Sequence, residues 1–545
     1  MADIVLTTLN AKYIHSAFGL RCLLANLGPL RSRAAIVEFD VNQRPVDIAE
    51  AILARNPKII GLGVYIWNVA QATEVAATLK RVRPDITLIL GGPEVSHETE
   101  TQPIAQLADY VIAGEADLMF ADVCGRLFAG KRPAAKIIPA TTPEFSQLAL
   151  PYDLYDDQDI AHRIIYVEAS RGCPFSCEFC LSSLDIPVRQ APLPALLGCL
   201  ERLLDRGVTQ FKFVDRTFNL DVNVSQAILE FLLEHHRPGH FFHFELVPDR
   251  LPESLREIIA RFPPGALQFE VGVQTFNEQT ADLIHRRQDY RRLEDNLHFL
   301  RHQTGVHIHA DLIAGLPGET LESFAAGFDR LIALEPQEIQ VGILKRLRGT
   351  PIVRHDTEWQ MLYNPHPPYE ILQNRLIDFP TIQKLRRFAR YWDLVGNSGN
   401  FVSSTPLIWS KAGQASRLTH YALPGKPLEE TGSSGSSASV EAGQTPALLS
   451  PFWAFARWSE WLHARVGRTD GVALARLMEL LFKFLTDDLR LDPRATAEVI
   501  WRDYQRGGRH DKPSFLKDLL PADKRSVSPR QSASALPKRQ ARHLV

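Results

Sequence analysis

The 545-residue chain has no uninterrupted apolar run of about 18 residues, the length that a membrane-spanning helix requires. It also lacks a marked excess of either charge: 61 Lys and Arg stand against 63 Asp and Glu, a formal net charge of −2. No broad attraction to nucleic acid or to an anionic membrane follows from that balance. "MADIVLTTL", Met1 to Leu9, has neither a basic leader nor a long apolar segment, so no secretory signal is expected and a cytoplasmic, reducing setting is. Cysteine is scarce, at six residues. In a reducing compartment clustered thiols bind metal or do chemistry more often than they form bridges. What is present is ordinary for a soluble globular protein with a sizeable core: 45% hydrophobic and 23% charged residues, in a chain long enough for several domains.

The first stretch, 1–145, alternates short apolar runs ("DIVLTTL", "AAIVEF", "IIGLGVY", "ITLILGG", "YVIAGE") with segments of helical periodicity ("VDIAEAILARN", "VAQATEVAATLKRVRP"). The runs are unbroken, as strands buried on both faces are, which predicts an α/β, doubly wound (Rossmann-like) parallel sheet. The second, 160–360, repeats the theme with six strands: "RIIYVEA", "QFKFVD", "FFHFEL", "LQFEVGV", "VHIHADLIAG" and "EIQVGIL". This predicts a partial, TIM-like (β/α)6 barrel, with chemistry at the carboxyl ends of the strands. Polar residues gather there: Asp215, Arg216, Glu245, Glu270, Gln274, Asp311 and Lys345. The third stretch, 366–520, reads as mostly helical. It includes "YEILQNRLIDFPTIQKLRRFARYWDLV", "PFWAFARWSEWLHARV", whose aromatics are read as core packing, and "GVALARLMELLFKFLTDDL". A Gly/Ser-rich segment, 430–447, is expected to be a flexible insertion. The last stretch, 524–545, holds six Lys/Arg and no Asp/Glu and is expected to be a disordered basic tail.

The most informative segment is "ASRGCPFSCEFCLSSLD", where Cys173, Cys177 and Cys180 follow the first barrel strand in the spacing Cys-x3-Cys-x2-Cys. Gly172 and Pro174 favour a non-helical path that can wrap around a metal centre. Structural zinc takes four ligands and a cubane iron–sulfur cluster takes four cysteines. Cys22, Cys124 and Cys199 have no flanking partner at matching spacing and are read as buried small apolar residues. Three thiols therefore leave one coordination position open, as catalytic metal sites do. A zinc site with a distant fourth ligand and a plain electron-transfer cluster remain alternatives.

This motif resembles that of the radical S-adenosylmethionine (SAM) superfamily, in which an aromatic residue usually precedes the last cysteine, as Phe179 does here. The resemblance implies that Cys173, Cys177 and Cys180 hold three irons of a [4Fe–4S] cluster. The fourth iron would bind the amino and carboxylate groups of SAM, and reduction would cleave SAM to a 5′-deoxyadenosyl radical that abstracts hydrogen from a substrate. An electron donor such as flavodoxin or ferredoxin is implied as partner. "KFVDRTFNLD" resembles the second-strand segment that helps hold the SAM amino group, with Asp215 as carrier beside Arg216 and Thr217. "FEVGVQTFNEQT" resembles the fourth-strand segment, where Glu270 and Gln274 reach SAM; "HADLIAGLPGET" resembles the fifth, placing Ile313 and Gly315 near the adenine and Gly318 in the following turn.

The first stretch resembles the cobalamin-binding domain that precedes the barrel in one subgroup of that superfamily. "VYIWN", "LILGGPEVSHE" and "ADYVIAGEAD" carry the likeness, and they imply Trp67, Asn68, Gly91, Gly92, Pro93, Glu94, Gly114 and Glu115 as cobalamin-binding residues. The pattern departs in one place. Many cobalamin proteins carry Asp-x-His-x-x-Gly after the first strand; here Tyr13 takes the Asp position, His15 follows and Gly19 comes one residue late. The carboxylate that orients a metal-bound imidazole is missing, so His15 is read as structural. "NAKYIH" and "YWDLVGNSGNF" resemble a set with a C-terminal helical domain of unknown function; Trp392, Asn397 and Asn400 are read as a capped helix end.

The resemblance implies a cytoplasmic radical SAM enzyme, cobalamin-dependent, that methylates or rearranges an unactivated carbon of an unidentified substrate. Alternatives are a radical SAM enzyme whose first domain has lost cobalamin, a methylthiotransferase-like enzyme, and a non-enzymatic iron–sulfur electron carrier or cobalamin-responsive module. Neither nucleic acid nor membrane is expected as partner. Glu245, Asp249 and Arg250 are barrel residues within reach of substrate, each also suited to an ion pair or a solvated loop.

Overall fold

The computed structural model describes residues 2–185, 187–410, 450–520 and 537–544. Strands β1 (Ile4–Asn10), β2 (Ala34–Asp40), β3 (Ile59–Gly63), β4 (Thr87–Gly91), β5 (Tyr110–Ala113) and β6 (Ile137–Pro139) form one parallel sheet. Their order is β2-β1-β3-β4-β5-β6, so the winding reverses between β1 and β3 and opens a crevice at their carboxyl ends. Every residue of β1 is buried, which is why its sequence reads as an unbroken apolar run. Helices cover both faces, with a separate apolar cluster on each. β6 was not anticipated, since a three-residue strand leaves no periodicity to read.

The second sheet contains β7 (Ile165–Val167), β10 (Gln210–Phe213), β11 (Phe241–Leu246), β12 (Leu267–Gln274), β13 (His307–Ala314) and β14 (Glu338–Ile343). Between β7 and β10 a two-stranded ribbon intervenes, β8 (Ser170–Arg171) paired with β9 (Arg189–Gln190). The six strands lie in the order β14-β13-β12-β11-β10-β7, all parallel, and β7 and β14 are its two edges. The architecture is thus the expected doubly wound domain followed by an incomplete barrel. Along β11, β12 and β13 burial alternates. One face packs on the helices while the other carries His243, Glu245, Glu270, His309 and Asp311.

The described residues from 379 onward are mostly helical, but the expected helical reading of "YEILQNRLID" is corrected: Ile371–Gln373 forms β16, antiparallel to β15 (Leu362–Tyr363). Asn374 then sets a turn, its side-chain oxygen accepting from Leu376 N and Ile377 N, both at 2.9 Å. Helix Phe379–Val395 begins only at Asp378, whose carboxylate caps Thr381 N at 3.0 Å. Pro380 has no N–H, so it fits the first turn of a helix and not its interior. Helix Pro451–Val466 runs over the stretch read from sequence, from the Ser450 cap to the left-handed Gly467. Its aromatics are core: Phe388 lies 4.8 Å from Phe452, and Phe328 crosses Trp392 edge-on at 4.9 Å. This region and the barrel share one apolar cluster. The expected insertion, 430–447, lies outside the described residues. The terminal stretch is in part ordered rather than a free tail. Lys538–His543 form a helix held by Arg539 to Glu338 (2.8 Å) and Asp393 (2.7 Å) and by Gln540 to Gln268 (2.7 Å). The rest of that stretch, apart from the residues flanking this helix, is not described.

The first domain is bolted to the barrel at several places, two of which follow β1 and β14. His15 and Ser16, after β1, meet the start of β7: His15 Nδ1 lies 2.7 Å from Tyr166 OH, and Ser16 donates to Ile164 O at 3.0 Å. After β14, Arg348 bonds Glu94 at 2.9 Å and Arg346 bonds Glu98 at 3.0 Å. Glu94 also accepts from Tyr369 OH at 2.6 Å and is 5% exposed. Glu94→Ala leaves the buried Tyr369 hydroxyl without its acceptor and Arg348 with Glu98 alone, so it is expected to cost about 2 kcal/mol. The half-exposed Glu98→Ala should cost less than about 1 kcal/mol. Urea unfolding followed by domain-resolved proteolysis checks the contrast; equal costs for the two variants refute it.

Candidate functional site

The three cysteines lie on the irregular segment between β8 and β9. Gly172 takes φ +90°, and a Cβ there would stand 2.8 Å from Asp185 O, so only glycine makes this turn. Cys173 N donates to Asp185 O at 3.0 Å and closes the loop on itself. Glu178, between the second and third thiols, anchors it from outside. Its carboxylate is 1% exposed and pairs with Arg354, with His355 Nε2 at 2.8 Å and with His285 Nδ1 at 3.4 Å. Its backbone is gripped as well, Glu178 N donating to Ile284 O at 3.1 Å and Ile352 N to Glu178 O at 3.0 Å.

All three thiols border one cavity of about 150 Å³, shared with Phe179, Arg216, Thr217, Glu245, Glu270, Gly272, Gln274, Arg286 and Asp311. The seven barrel strand-end groups expected from sequence divide here. Arg216, Glu245, Glu270, Gln274 and Asp311 reach the cavity, whereas Asp215 does not. Asp215 is 2% exposed and accepts from Ala169 N (2.9 Å) and Ser170 Oγ (2.7 Å), so it fixes the strand that leads into the thiol loop. Ile313 and Gly315 lie outside the cavity lining; a Cβ on Gly315 would stand 2.7 Å from Ile371, so its role is packing. Lys345, outside the cavity lining, forms an antiparallel backbone bridge with Glu370. Arg250 covers the Phe175 ring at 5.0 Å, and Asp249 accepts from Asp289 N at 2.9 Å.

Burial pushes the Cys177 thiol up, opposed by Arg286, whose Nη1 lies 3.6 Å from its sulfur. Below the thiols, Glu270 receives Lys212 at 3.3 Å and His243 at 3.1 Å. Burial would raise its carboxyl, but His243 and Lys212 outweigh that and hold it below the usual carboxylate range. Asp311 goes the other way: burial, then Glu270 and Glu245, push it well above that range. The two carboxyls that face this cavity are thus biased in opposite directions, Glu270 toward its ionised and Asp311 toward its protonated form. At Gln274 the strand bulges and the backbone is left-handed (φ +70°), which folds its amide back over Gly272.

A second cavity, of about 250 Å³, opens at the carboxyl edge of the first sheet. It runs between helices Phe18–Ala25 and Asp117–Phe128, over the ends of β3, β4 and β5. Glycines floor it: Gly61, Gly63, Gly91, Gly92 and Gly114, with Glu115 at the wall. A Cβ on Gly92 would lie 2.5 Å from Val64 O. Two barrel residues, Glu168 and Arg171, complete the lining, and no histidine belongs to it. Trp67, Asn68, Pro93 and Glu94 are not among the lining residues. Asn68 is fully buried and ties β1 to β3 through Thr8 (3.1 Å), Leu9 O (3.0 Å) and Gly63 O (3.3 Å). Trp67 stacks on Tyr65 at 4.4 Å and is 47% exposed. Cys22 lines this cavity, and burial pushes its thiol up, as it does that of Cys124 to about 12. Trp392, Asn397 and Asn400 lie away from both cavities, and Asn397 pairs with Ile339 N and O (2.9 Å each) along the β14 edge.

Sequence reasoning missed Glu178, Arg286, His355, Arg171 and Arg189. Arg171 and Glu178 stood inside the motif, but their partners are contributed by distant segments, and a single charged residue carries no record of its partner. Among the described residues no group of three His, Cys, Asp or Glu is arranged to hold a single metal ion.

Fold and site together define the class: a two-domain α/β protein whose incomplete barrel carries a three-thiol loop at the carboxyl end of its first strand. Residues 167–331 match the family model for the Radical SAM superfamily, residues 4–124 that for the B12 binding domain and residues 357–420 a protein family of unknown function (DUF4080). The chain thus carries a radical SAM domain with a B12-binding domain ahead of it. It is similar to "Uncharacterized methyltransferase PH0819" of Pyrococcus horikoshii, 26% identical over 205 residues that make up 43% of that protein and 32% of this chain. The match therefore spans less than half of that relative. Among solved structures it resembles the cobalamin-dependent S-adenosylmethionine radical enzyme OxsB with aqua-cobalamin and S-adenosylmethionine bound (TM-score 0.56, 11% identity, 92% of this chain and 78% of that one). It also resembles the radical S-adenosylmethionine methyltransferase TsrM of Kitasatospora setae with cobalamin and a [4Fe-4S] cluster (TM-score 0.53, 16% identity, 67% and 76%). At these identities the likeness is one of fold. No helix among the described residues is long and apolar enough to cross a membrane.

Two predictions follow from the anchoring of the loop. Glu178→Ala is expected to weaken retention of a reconstituted iron–sulfur cluster against chelator about 10- to 100-fold, the usual effect of losing a group that orients metal ligands. Wild-type retention in a folded variant contradicts the anchoring role. Asp215 is pushed up to about 6 by burial, against the opposing bonds from Ser170 and Ala169. Its native pKa lies above its unfolded one, so its contribution to stability is full below about pH 4 and is lost as pH rises through about 6, on the order of 3 kcal/mol. Asp215→Asn should flatten this part of the stability–pH curve, measured by urea unfolding between pH 4 and 7; an unchanged slope refutes it.

Proposed function

We propose that this protein is a cobalamin-dependent radical SAM enzyme that transfers a methyl group to, or rearranges, an unactivated carbon. The observation that carries the reading is the set of three thiols on one cavity with no fourth cysteine among its lining residues. Cys173, Cys177 and Cys180 would hold a [4Fe–4S] cluster with one iron left for SAM. When bound, that cluster supplies the single electron that cleaves the SAM sulfonium. The chain's own residues do the rest. Arg286 places positive charge beside Cys177, which offsets the accumulated negative charge of thiolates and sulfides. Glu270, biased toward its ionised form, would accept from, and Asp311, biased toward its protonated form, would donate to, polar groups of a ligand in the cavity. Phe179 and the apolar wall at Leu246 and Val247 keep water out. The strand-end residues and Gln274 suit the hydroxyl-rich and ammonium-bearing parts of SAM.

The glycine-floored cavity fits cobalamin by its own chemistry, because its backbone and apolar walls allow close approach of a large flat ligand. Gly91, Gly92, Gly114 and the neighbouring strand ends would hold it, the cavity itself taking a side group rather than the whole macrocycle. His15 is committed to Tyr166 OH, which supports a lower cobalt face without a histidine. The likeness in fold to OxsB and TsrM and the similarity to a methyltransferase of Pyrococcus horikoshii support the same reading. A reduced flavodoxin or ferredoxin type of protein would supply the electron. The test is anaerobic reconstitution with iron, sulfide and hydroxocobalamin, followed by reduction in the presence of SAM. The wild-type protein is expected to turn over SAM to 5′-deoxyadenosine or S-adenosylhomocysteine, and Cys177→Ala to lose both the brown absorbance and the turnover. Full activity in that variant, or zinc in place of iron, overturns the reading.

A further inference from the structure

The contact between the first domain and the β8–β9 ribbon is made of charge. Glu115, on the first domain after β5, holds two guanidiniums from the barrel at once. Its carboxylate accepts from Arg171 Nη1 at 3.1 Å, from Arg189 Nη1 at 2.9 Å and, through its other oxygen, from Arg189 Nη2. Arg171 and Arg189 are not scattered. They are opposite residues of the β8–β9 ribbon, paired in register, and this ribbon clasps both ends of the thiol loop. From Glu115 two separate routes reach Cys173. One runs through Arg171, two residues before it in the chain. The other runs through Arg189 to Asp185 Oδ1 at 2.8 Å, and Asp185 O receives Cys173 N at 3.0 Å.

Glu115 and Arg171 also border the glycine-floored cavity, so an occupant of that cavity bears on the same carboxylate that holds the ribbon. The interdomain clamp after β14 differs on this point: Glu94, Glu98, Arg346 and Arg348 border neither cavity. Charge-assisted, two-pronged bonds are directional as well as strong, so a shift of Glu115 is transmitted as a shift of both ribbon strands.

We propose that Glu115 is a positioning residue that couples the two cofactor sites: a ligand in the first-domain cavity and a cluster on the thiol loop bind cooperatively through the Glu115–Arg171/Arg189 bridge. The inference rests on the cobalamin and cluster reading above. Coupling of this kind is reciprocal, so either ligand tightens the other. Removing the Glu115 charge leaves Arg171 with Glu168 and Asp117, and Arg189 with Asp185, so no guanidinium is stranded and the fold is expected to hold.

The experiment titrates hydroxocobalamin, by absorbance, into full-length protein with and without a reconstituted iron–sulfur cluster. The wild type should bind it at least about fivefold more tightly when the cluster is loaded, the lower end of ordinary coupling. Glu115→Gln should still bind hydroxocobalamin, with that ratio reduced to within about twofold of unity. Asp185→Ala, which breaks only the Arg189 route, should give an intermediate ratio, and Glu98→Gln should match the wild type. A merely structural clamp would change affinity and stability in these variants without changing the ratio. A wild-type ratio of one, or an undiminished ratio in Glu115→Gln, overturns the coupling while leaving the cofactor reading intact. A wild-type protein that binds no hydroxocobalamin at all overturns both.

Discussion

Buried carboxylates paired across segment boundaries set the geometry on which the chemistry of this protein depends. The thiol loop has little regular secondary structure, so no ladder of backbone bonds holds its shape. Instead Glu178, Asp215 and Glu168 each tie it or the strand before it to a neighbour: Glu178 to His355, Asp215 to Ser170, Glu168 to Arg171. A carboxylate shut away from water is costly unless its lone pairs are used, and here the using of them defines where the loop goes. Burial pushes Asp215 up to about 6 and Glu168 to about 7, an indication of how dry this part of the molecule is.

The open barrel explains the placement of the first domain. Six strands do not close, and β7 and β14 remain as edges. Exposed edges invite unwanted pairing and admit water. On the β7 side, residues after β1 of the first domain meet the edge through His15 and Ser16. On the β14 side, Asn397 of the third region pairs its side-chain amide with the backbone of Ile339, and helix Lys538–His543 packs beside it. The carboxyl edge of a doubly wound sheet, where ligands bind, is thereby turned toward the barrel. Barrel residues Glu168 and Arg171 accordingly complete the lining of the first-domain cavity.

The polar interior of the barrel is the counterpart of that arrangement. Lys212, His243, Glu270, His309 and Asp311 occupy positions that a closed barrel fills with branched apolar side chains. They satisfy one another in part, His243 and Lys212 on Glu270, with His309 facing Asp311 at 3.4 Å. Networks of this kind are stable only when sealed and mutually paired. The aromatic core around Phe388, Trp392 and Phe452 lies on the far side of helix Leu321–Ala333 and supplies rigidity without touching either cavity.

Much of this was legible in the chain itself. All five longer strands of the first sheet and all six of the barrel lie in the apolar runs read from sequence, because burial on one or both faces leaves a periodicity of its own. The thiol spacing is local too, and local spacing survives in a sequence unaltered. The start of helix Phe379–Val395 was misread because "YEIL" is apolar enough for either state, and the choice fell to pairing with Leu362–Tyr363. What only the tertiary structure decided is which charges meet. Asp215 serves the strand end and not the cavity, Glu94 and Asn68 serve the architecture, and Glu115 joins two arginines more than fifty residues away along the chain. Hydrophobic pattern is a property of a segment, whereas an ion pair is a property of two, and a single sequence lists its charged residues without recording their partners.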